Sequence, residues 1–263
     1  MTMSDNGLRP PISAILAKVE QLSGCPVMLI HDPSLATLAT VKAATRQQPV
    51  HQIRYRSDDA EAGYQIAFES GFLLRLLNVP PPQRVQLASR AEIHKRIIAE
   101  ASRLNPGLPA ESAARTGTTL YEGLMTQLRS CGPGMAVDLW LFADYPELRG
   151  LQAASLEQQA RGNAAALNPA HDRQFPADVV RANRAMNSAY ALFAADLLNR
   201  PELAVPYQAA GLERIGRSLL ATLQDPARSA VDQLIVDDWA AQLGISGWYE
   251  WVPAEVSRQD ALP

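Results

Sequence analysis

Residues 64–75 read YQIAFESGFLLR, and this stretch decides the fold of the N-terminal half. Its large apolar residues, with one just beyond it, recur at spacings of three and four, which is typical of a helix with one buried face. They are Ile66, Phe68, Phe72, Leu73 and Leu76. Asp58 followed by Glu61 fits a capping box at the start of this helix, and the prolines at 80–82 forbid its continuation beyond about Asn78.

Two short stretches before this helix predict strands. Residues 26–30, PVMLI, are an apolar run of strand length. Residues 50–56, VHQIRYR, alternate, so that His51, Ile53 and Tyr55 share an apolar face. The sequence therefore predicts a small sheet that leads into the helix.

The rest of the chain reads as helical. Ser89 with Glu92 is expected to cap the first of these helices, and the Gly-Pro-Gly turn at 132–134 to end the second. The predicted helices cover 89–104, 118–129, 136–143, 146–167, 176–199, 207–223 and 226–243, the last with Asp225 as its cap. We expect an α+β fold, mostly α, with a small N-terminal sheet and a C-terminal helical bundle.

Composition excludes several classes of protein. The 263 residues are 47% hydrophobic and carry a formal charge of −3, so no basic surface for direct nucleic-acid binding is expected. No apolar run reaches the roughly 20 residues that span a bilayer, and the N-terminus lacks a signal-peptide pattern. Cys25 and Cys131 are far apart and suit a reducing compartment, so we expect a cytoplasmic protein without a membrane segment.

Signatures that define an active site on their own are missing. The sequence has no GxGxxG, GxxxxGK[ST], GxSxG or paired CxxC motif. The four histidines, His31, His51, His94 and His171, stand apart, and none forms an i, i+4 pair. We therefore expect no cofactor and no metal.

Residues 66–75 resemble the metal-binding helix of the ImmA/IrrE-like peptidases, a zincin family in which a short strand leads into a helix reading roughly I-A-His-Glu-x-Gly-His-x-x-R. The matching residues are Ile66, Ala67, Glu69, Gly71 and Arg75. Phe68 and Phe72 stand where the family has its two histidine ligands. The resemblance implies a zincin-like half, 1–145, followed by a helical half, 146–263, with both halves able to pack as one continuous domain.

The family places its third zinc ligand, a glutamate, on a later helix, and Glu122 begins a loose echo of that helix. Phenylalanine has no lone pair for zinc, and the two carboxylates that remain, Glu69 and Glu122, make a poor tetrahedral site. The resemblance therefore implies a catalytically inactive relative that works by protein binding, in bacterial regulation, stress or a phage-related response. A protein or peptide partner would meet a cleft formed by His51, Phe68, Glu69, Phe72 and Glu122, with the strand at 50–56 as a free sheet edge.

Two other functions stay open. In one, the cleft still hydrolyses a substrate, with Glu69 or Glu122 as general base and a metal held by displaced ligands such as His51 or His94. In the other, the chain is a structural scaffold and residues 64–75 are an ordinary amphipathic helix.

Two groups of residues in the C-terminal half are expected to have structural roles or to lie on the surface. Trp248, Tyr249 and Trp251 are expected to dock as a tail that closes the core. Arg181 and Arg184, with Asn183 and Asn187, are expected on a solvated helix face. Alternatively, Arg184 with Asn183 or Asn187 is expected to bind an anionic partner across the bundle.

Overall fold

The structure is a computed structural model that describes residues 10–56 and 61–254. Helices make up most of this part of the chain, and the strands form one three-stranded and one two-stranded sheet. The predicted fold class, α+β and mostly α, is confirmed. The predicted cap at Asp58 lies outside the described residues.

The helices of the described residues are α1 (Ile12–Ser23), α2 (Glu61–Asn78), α3 (Ala91–Leu104), α4 (Ala110–Asp144), α5 (Arg149–Asn163), α6 (His171–Gln174), α7 (Ala177–Leu198), α8 (Val205–Ala209), α9 (Glu213–Gln224), α10 (Pro226–Ser229) and α11 (Asp232–Leu243). The strands are β1 (Val27–His31), β2 (Ala39–Lys42), β3 (His51–Tyr55), β4 (Val85–Ser89) and β5 (Tyr249–Pro253). Short 3-10 turns join several of these elements.

The chain packs into two compact units. Among the described residues, the first combines 10–56, 61–86, 136–155 and 253–254, and the second combines 87–135 and 156–252. These units interleave along the chain, whereas the halves predicted at 1–145 and 146–263 follow one another. Because those halves were drawn from a family resemblance and not from packing, they stay a prediction.

The core of the first unit lies between α1, α2 and the three-stranded sheet. Ile15, Val19, Ile53, Ile66 and Leu73 are all buried there. The predicted end of this helix at about Asn78, before the prolines, matches the observed end of α2. The apolar spacing of residues 64–75 thus positions one face of α2 in this core.

The three-stranded sheet has the order β1-β3-β2, with β3 parallel to β1 and antiparallel to β2. His51, Ile53 and Tyr55 are buried as the alternation predicted. The prediction that this strand offers a free edge to a peptide is wrong, because β3 pairs on both sides. Its backbone N–H and C=O groups are engaged by two neighbours.

Helix α4 runs without a break through the Gly-Pro-Gly sequence at 132–134, so the predicted turn there is wrong. A proline inside a helix costs about 3 kcal/mol, because it lacks an N–H and crowds the carbonyl four residues earlier. Buried Leu128 and Met135 flank the proline and hold both sides of the helix in the core. Gly132 has a packing reason, because a Cβ there would lie 2.5 Å from Ile235 Cγ2.

The core of the second unit is built around α7, whose predicted range of 176–199 is close to the observed one. Asn199, with φ 54°, ends α7 in the left-handed conformation. Helix α9 crosses α7 closely, since a Cβ on Gly216 would lie 2.6 Å from Ser188 Oγ. The fully buried Trp239 of α11 donates its Nε1 proton to Leu219 O at 3.0 Å.

Three predicted helix boundaries need correction. The ranges 207–223 and 226–243 each divide into two helices, although Asp225 does accept a hydrogen bond from Ala227 N as the predicted cap. Ser89 does not cap α3, which begins after Arg90 without a side-chain cap. Ser89 is the last residue of β4 and therefore lies one residue before the N-cap position of α3.

The aromatic tail docks on the second unit as expected. Trp248 and Tyr249 are buried. Tyr249 Oη and Trp251 Nε1 both donate to Asp237 Oδ1, at 2.6 and 2.8 Å. A single carboxylate oxygen on α11 thus fixes two rings of β5.

Candidate functional site

The aromatic face of α2 is the centre of the predicted site. Phe68 and Phe72 lie one turn apart, with their rings edge to face and their centroids 5.3 Å apart. Tyr64, one turn earlier, is 6.0 Å from Phe68 by the same measure. Both phenylalanines are half-buried. The two positions that the resemblance equates with zinc ligands are therefore filled by hydrocarbon in mutual contact.

Glu69 lies between these phenylalanines in sequence and is half-buried on α2. It belongs to the first unit, whereas Glu122 lies on the part of α4 that belongs to the second unit. Glu122 is exposed, and its Oε2 accepts a hydrogen bond from Ser89 Oγ at 3.4 Å.

His51, the candidate on β3, is fully buried in the first unit. Its Nδ1 accepts a hydrogen bond from Ala44 N at 3.0 Å, and burial lowers its pKa to about 4. The imidazole is therefore neutral near pH 7, with its proton on Nε2. In this position the side chain holds the backbone at Ala44 and is not accessible to a partner.

His94, the other candidate ligand, belongs to the second unit. Its Nε2 lies 3.0 Å from Thr118 Oγ1, and its ring stacks on Tyr121 with centroids 5.1 Å apart. Across residues 10–56 and 61–254, no three His, Cys, Asp or Glu side chains converge into a group that could hold a metal ion.

The first unit contains a buried polar cluster that was not predicted from the sequence. Asp138 of α4 is 2% exposed, and its Oδ1 accepts hydrogen bonds from Tyr64 Oη at 2.6 Å and Gln152 Nε2 at 2.8 Å. Gln152 Nε2 also donates to the main-chain O of Asp138 at 2.9 Å, which fixes the orientation of its amide. Three helices, α2, α4 and α5, thus meet at one carboxyl group.

Burial dominates the electrostatics of this cluster. It raises the pKa of Asp138 from 3.8 to about 7, against the smaller lowering effect of the hydrogen bonds from Tyr64 and Gln152. An isolated Asp in a helical pattern looks like a surface residue. One indication of burial was present in the sequence. Asp138 directly follows Val137 and lies three residues before Leu141, in a largely apolar stretch of α4.

The polar face of α7 is used inside the second unit. Gln127 Nε2 donates to Asn187 Oδ1 at 2.7 Å, Asn187 Nδ2 donates to Asn183 Oδ1 at 3.2 Å, and Asn183 Nδ2 donates to Gln127 Oε1 at 2.8 Å. The three amides form a closed ring. Each amide satisfies the next, so the ring joins α4 to α7 without a charge.

Arg184 does not lie on a solvated face; it pairs with an anionic side chain from another helix, Asp172 of α6, which was the second of the two expectations. Its guanidinium donates to Ala166 O at 2.9 Å, to Asn168 O at 3.0 Å and to Asp172 Oδ1 at 2.6 Å. Only 17% of its side chain is exposed. It holds the segment before α7 against that helix.

A cavity of about 300 Å³ opens on the second unit beside the amide ring. Gly123, Leu124, Val180 and Asn183 contribute to its wall. Among the residues that line it, His171 is the one titratable side chain. The lining therefore lacks the acid and base pair that hydrolysis commonly uses.

Comparison of the chain with protein-family models, with curated proteins and with solved structures finds no match. None of the helices within the described ranges combines the length and apolarity needed to cross a membrane.

Proposed function

We propose that this chain is a catalytically inactive relative of the ImmA/IrrE-like peptidases that acts by binding a protein or peptide partner. The observation that carries the proposal is the edge-to-face contact of Phe68 and Phe72 at 5.3 Å on one face of α2. A metallopeptidase needs ligand lone pairs at these positions to hold its zinc ion. Two phenyl rings supply apolar contact surface instead.

The order of elements supports the same proposal. Strand β3 precedes α2 in the chain, as the resemblance requires, and α1 and the three-stranded sheet complete the core behind it. The half-buried state of Phe68, Glu69 and Phe72 leaves part of each side chain accessible to a partner. An aromatic pair beside a carboxylate suits recognition of a partner with apolar and cationic side chains. The resemblance favours a cytoplasmic role in bacterial regulation, stress or a phage-related response.

A restored zinc site tests the ancestry. Phe68→His and Phe72→His together place two imidazoles at i and i+4, and any such pair on a helix binds zinc weakly. The matched control is therefore Glu111→His with Arg115→His, an exposed i, i+4 pair on α4. We expect the restored pair to bind zinc at least tenfold more tightly than the control in calorimetric titration. Equal affinities would contradict descent from a metal site.

The metal content of the purified wild type tests the alternative of an active enzyme. One firmly bound zinc or iron ion per chain, measured by mass spectrometry, would overturn the proposal that the chain is catalytically inactive. Hydrolysis retained after chelation and lost in Glu69→Gln would overturn it as well.

Partner binding separates the proposal from a scaffold. Wild type, Glu69→Gln and the control Glu111→Gln would each be used to capture proteins from extracts of the source cells, and any captured protein would then be purified. We expect Glu69→Gln to weaken the affinity of that purified partner at least tenfold, with Glu111→Gln at the wild-type value. Equal affinities for all three proteins would contradict binding through the α2 face.

A further inference from the structure

The cluster of Tyr64, Asp138 and Gln152 has an unusual composition for a helix junction. One buried carboxyl group receives two neutral donors from two other helices, and no cationic side chain of the described residues contributes to its pKa. The groups that face the carboxyl are Tyr64 from α2 and Gln152 from α5. A buried carboxylate that lacks a cationic partner is costly, and the cost disappears when the group takes up a proton.

We propose that the Tyr64–Asp138–Gln152 cluster is a proton-operated lock in the first unit, which holds α2, α4 and α5 together when Asp138 is protonated and loosens when Asp138 is ionised. The neutral acid keeps an oxygen that accepts from both donors. The ionised form keeps the same hydrogen bonds but buries a negative charge. The lock does not depend on the proposed partner binding.

The direction of the pH effect follows from the two protonation states. The folded group binds its proton up to about pH 7, whereas the same group in an opened state ionises near 3.8. Stability from this source is fully present below pH 3.8, is lost progressively as the pH rises from 3.8 to about 7, and does not fall further above that. The equilibrium constant for opening should therefore rise about tenfold per pH unit up to about pH 7 and then level off.

The distribution of the tryptophans allows the fluorescence of the first unit to be distinguished from that of the second. Trp140, half-buried on α4, packs against the first core with its ring 5.2 Å from that of Tyr145. Trp239, Trp248 and Trp251 belong to the second unit. The fluorescence difference between wild type and Trp140→Phe therefore reports on the first unit alone.

Amide hydrogen exchange between pH 5 and pH 9 tests the lock, after correction for the intrinsic pH dependence of exchange. In wild type, we expect protection in α2 and in residues 136–155 to fall about a hundredfold from pH 5 to 7 and to stay level from pH 7 to 9. Protection in α7 should not follow this curve. The Trp140 difference signal should change over the same interval.

Two substitutions identify the group responsible. Asp138→Asn keeps the acceptor oxygen but cannot ionise, so its protection should be level between pH 5 and 7. Asp144→Asn, at the exposed end of the same helix, should keep the wild-type slope. An equal slope in Asp138→Asn, or a level profile in wild type, would overturn the proposal.

Direct titration of the wild-type carboxyl by carbon NMR gives a result even if Asp138→Asn fails to fold. We expect a midpoint near pH 7, and Tyr64→Phe should move it upward because it removes a donor to the carboxylate. A wild-type midpoint below pH 5, or a downward shift in Tyr64→Phe, would rule the lock out.

Discussion

Gly71 on α2 faces Val137 on α4 so closely that a Cβ at position 71 would lie 2.4 Å from Val137 Cγ1. Both residues are buried. Valine in a helix has one strongly preferred rotamer, so this side chain cannot turn aside at low cost. Gly71 is also one of the five residues that carry the family resemblance, and helix packing alone is a sufficient reason for a glycine there.

This contact predicts the outcome of a double-mutant cycle. Gly71→Ala should lower the free energy of unfolding by about 1–3 kcal/mol, because the added methyl overpacks the crossing of α2 and α4. Val137→Ala removes the two methyl groups that clash. The double variant should therefore lose less free energy of unfolding than the two single variants lose in total. Urea denaturation of the four proteins measures the coupling. Strict additivity would show that the helices separate to accommodate the methyl group.

Gly123 on α4 predicts the opposite effect to that of Gly71 on α2. A Cβ at position 123 would meet no atom within 4 Å, whereas one at position 117 would lie 2.6 Å from Ile98 Cα. Gly123→Ala should raise the free energy of unfolding by up to about 1 kcal/mol, since alanine is the better helix former. Gly117→Ala should lower it, because backbone cannot yield. A thermal melt of both variants decides the sign, and destabilisation by Gly123→Ala would contradict the open space at this glycine.

Local patterns allowed much of the first unit to be predicted. The alternation around His51 gave the buried face of β3, and the apolar spacing of residues 64–75 gave the helix α2. The position of β3 in the middle of its sheet could not be predicted, because β2, which pairs on its second side, is only four residues long. An edge and a central strand of this length have the same local signal.

Tertiary packing decided the features that the local patterns missed. The Gly-Pro-Gly sequence at 132–134 is a strong turn signal, yet burial on both sides of Pro133 keeps α4 continuous. Asp138 has the residue type of a surface position, and only the approach of Tyr64 and Gln152 from distant parts of the sequence makes it a buried acid. Whether residues 64–75 descend from a metal site stays a prediction.

Asp237 predicts how the C-terminal strand is held. Its Oδ1 accepts from both Tyr249 and Trp251, so Asp237→Ala leaves two partly buried donors without their acceptor. We expect a loss of about 1–3 kcal/mol in the free energy of unfolding and faster hydrogen exchange in β5. The neighbouring Asp238→Ala breaks an exposed ion pair with Arg228 and should cost less than about 1 kcal/mol. Equal effects of the two substitutions would show that the tail does not depend on Asp237.

Arg184 predicts a difference between two arginines on one helix. Its planar guanidinium reaches Ala166 O, Asn168 O and the Asp172 carboxylate at the same time. Lysine carries one point charge and cannot span three acceptors, so Arg184→Lys should lower the free energy of unfolding by about 1–3 kcal/mol.

Arg181 provides the control for this substitution, because it pairs only with Asp178 in the described contacts and 59% of its side chain is exposed. Arg181→Lys should change the free energy of unfolding by no more than about 0.5 kcal/mol. Exchange protection in α6 should fall in Arg184→Lys alone, since Asp172 lies on that helix. If α6 stayed protected, the segment before α7 would be held by its apolar contacts and not by the guanidinium.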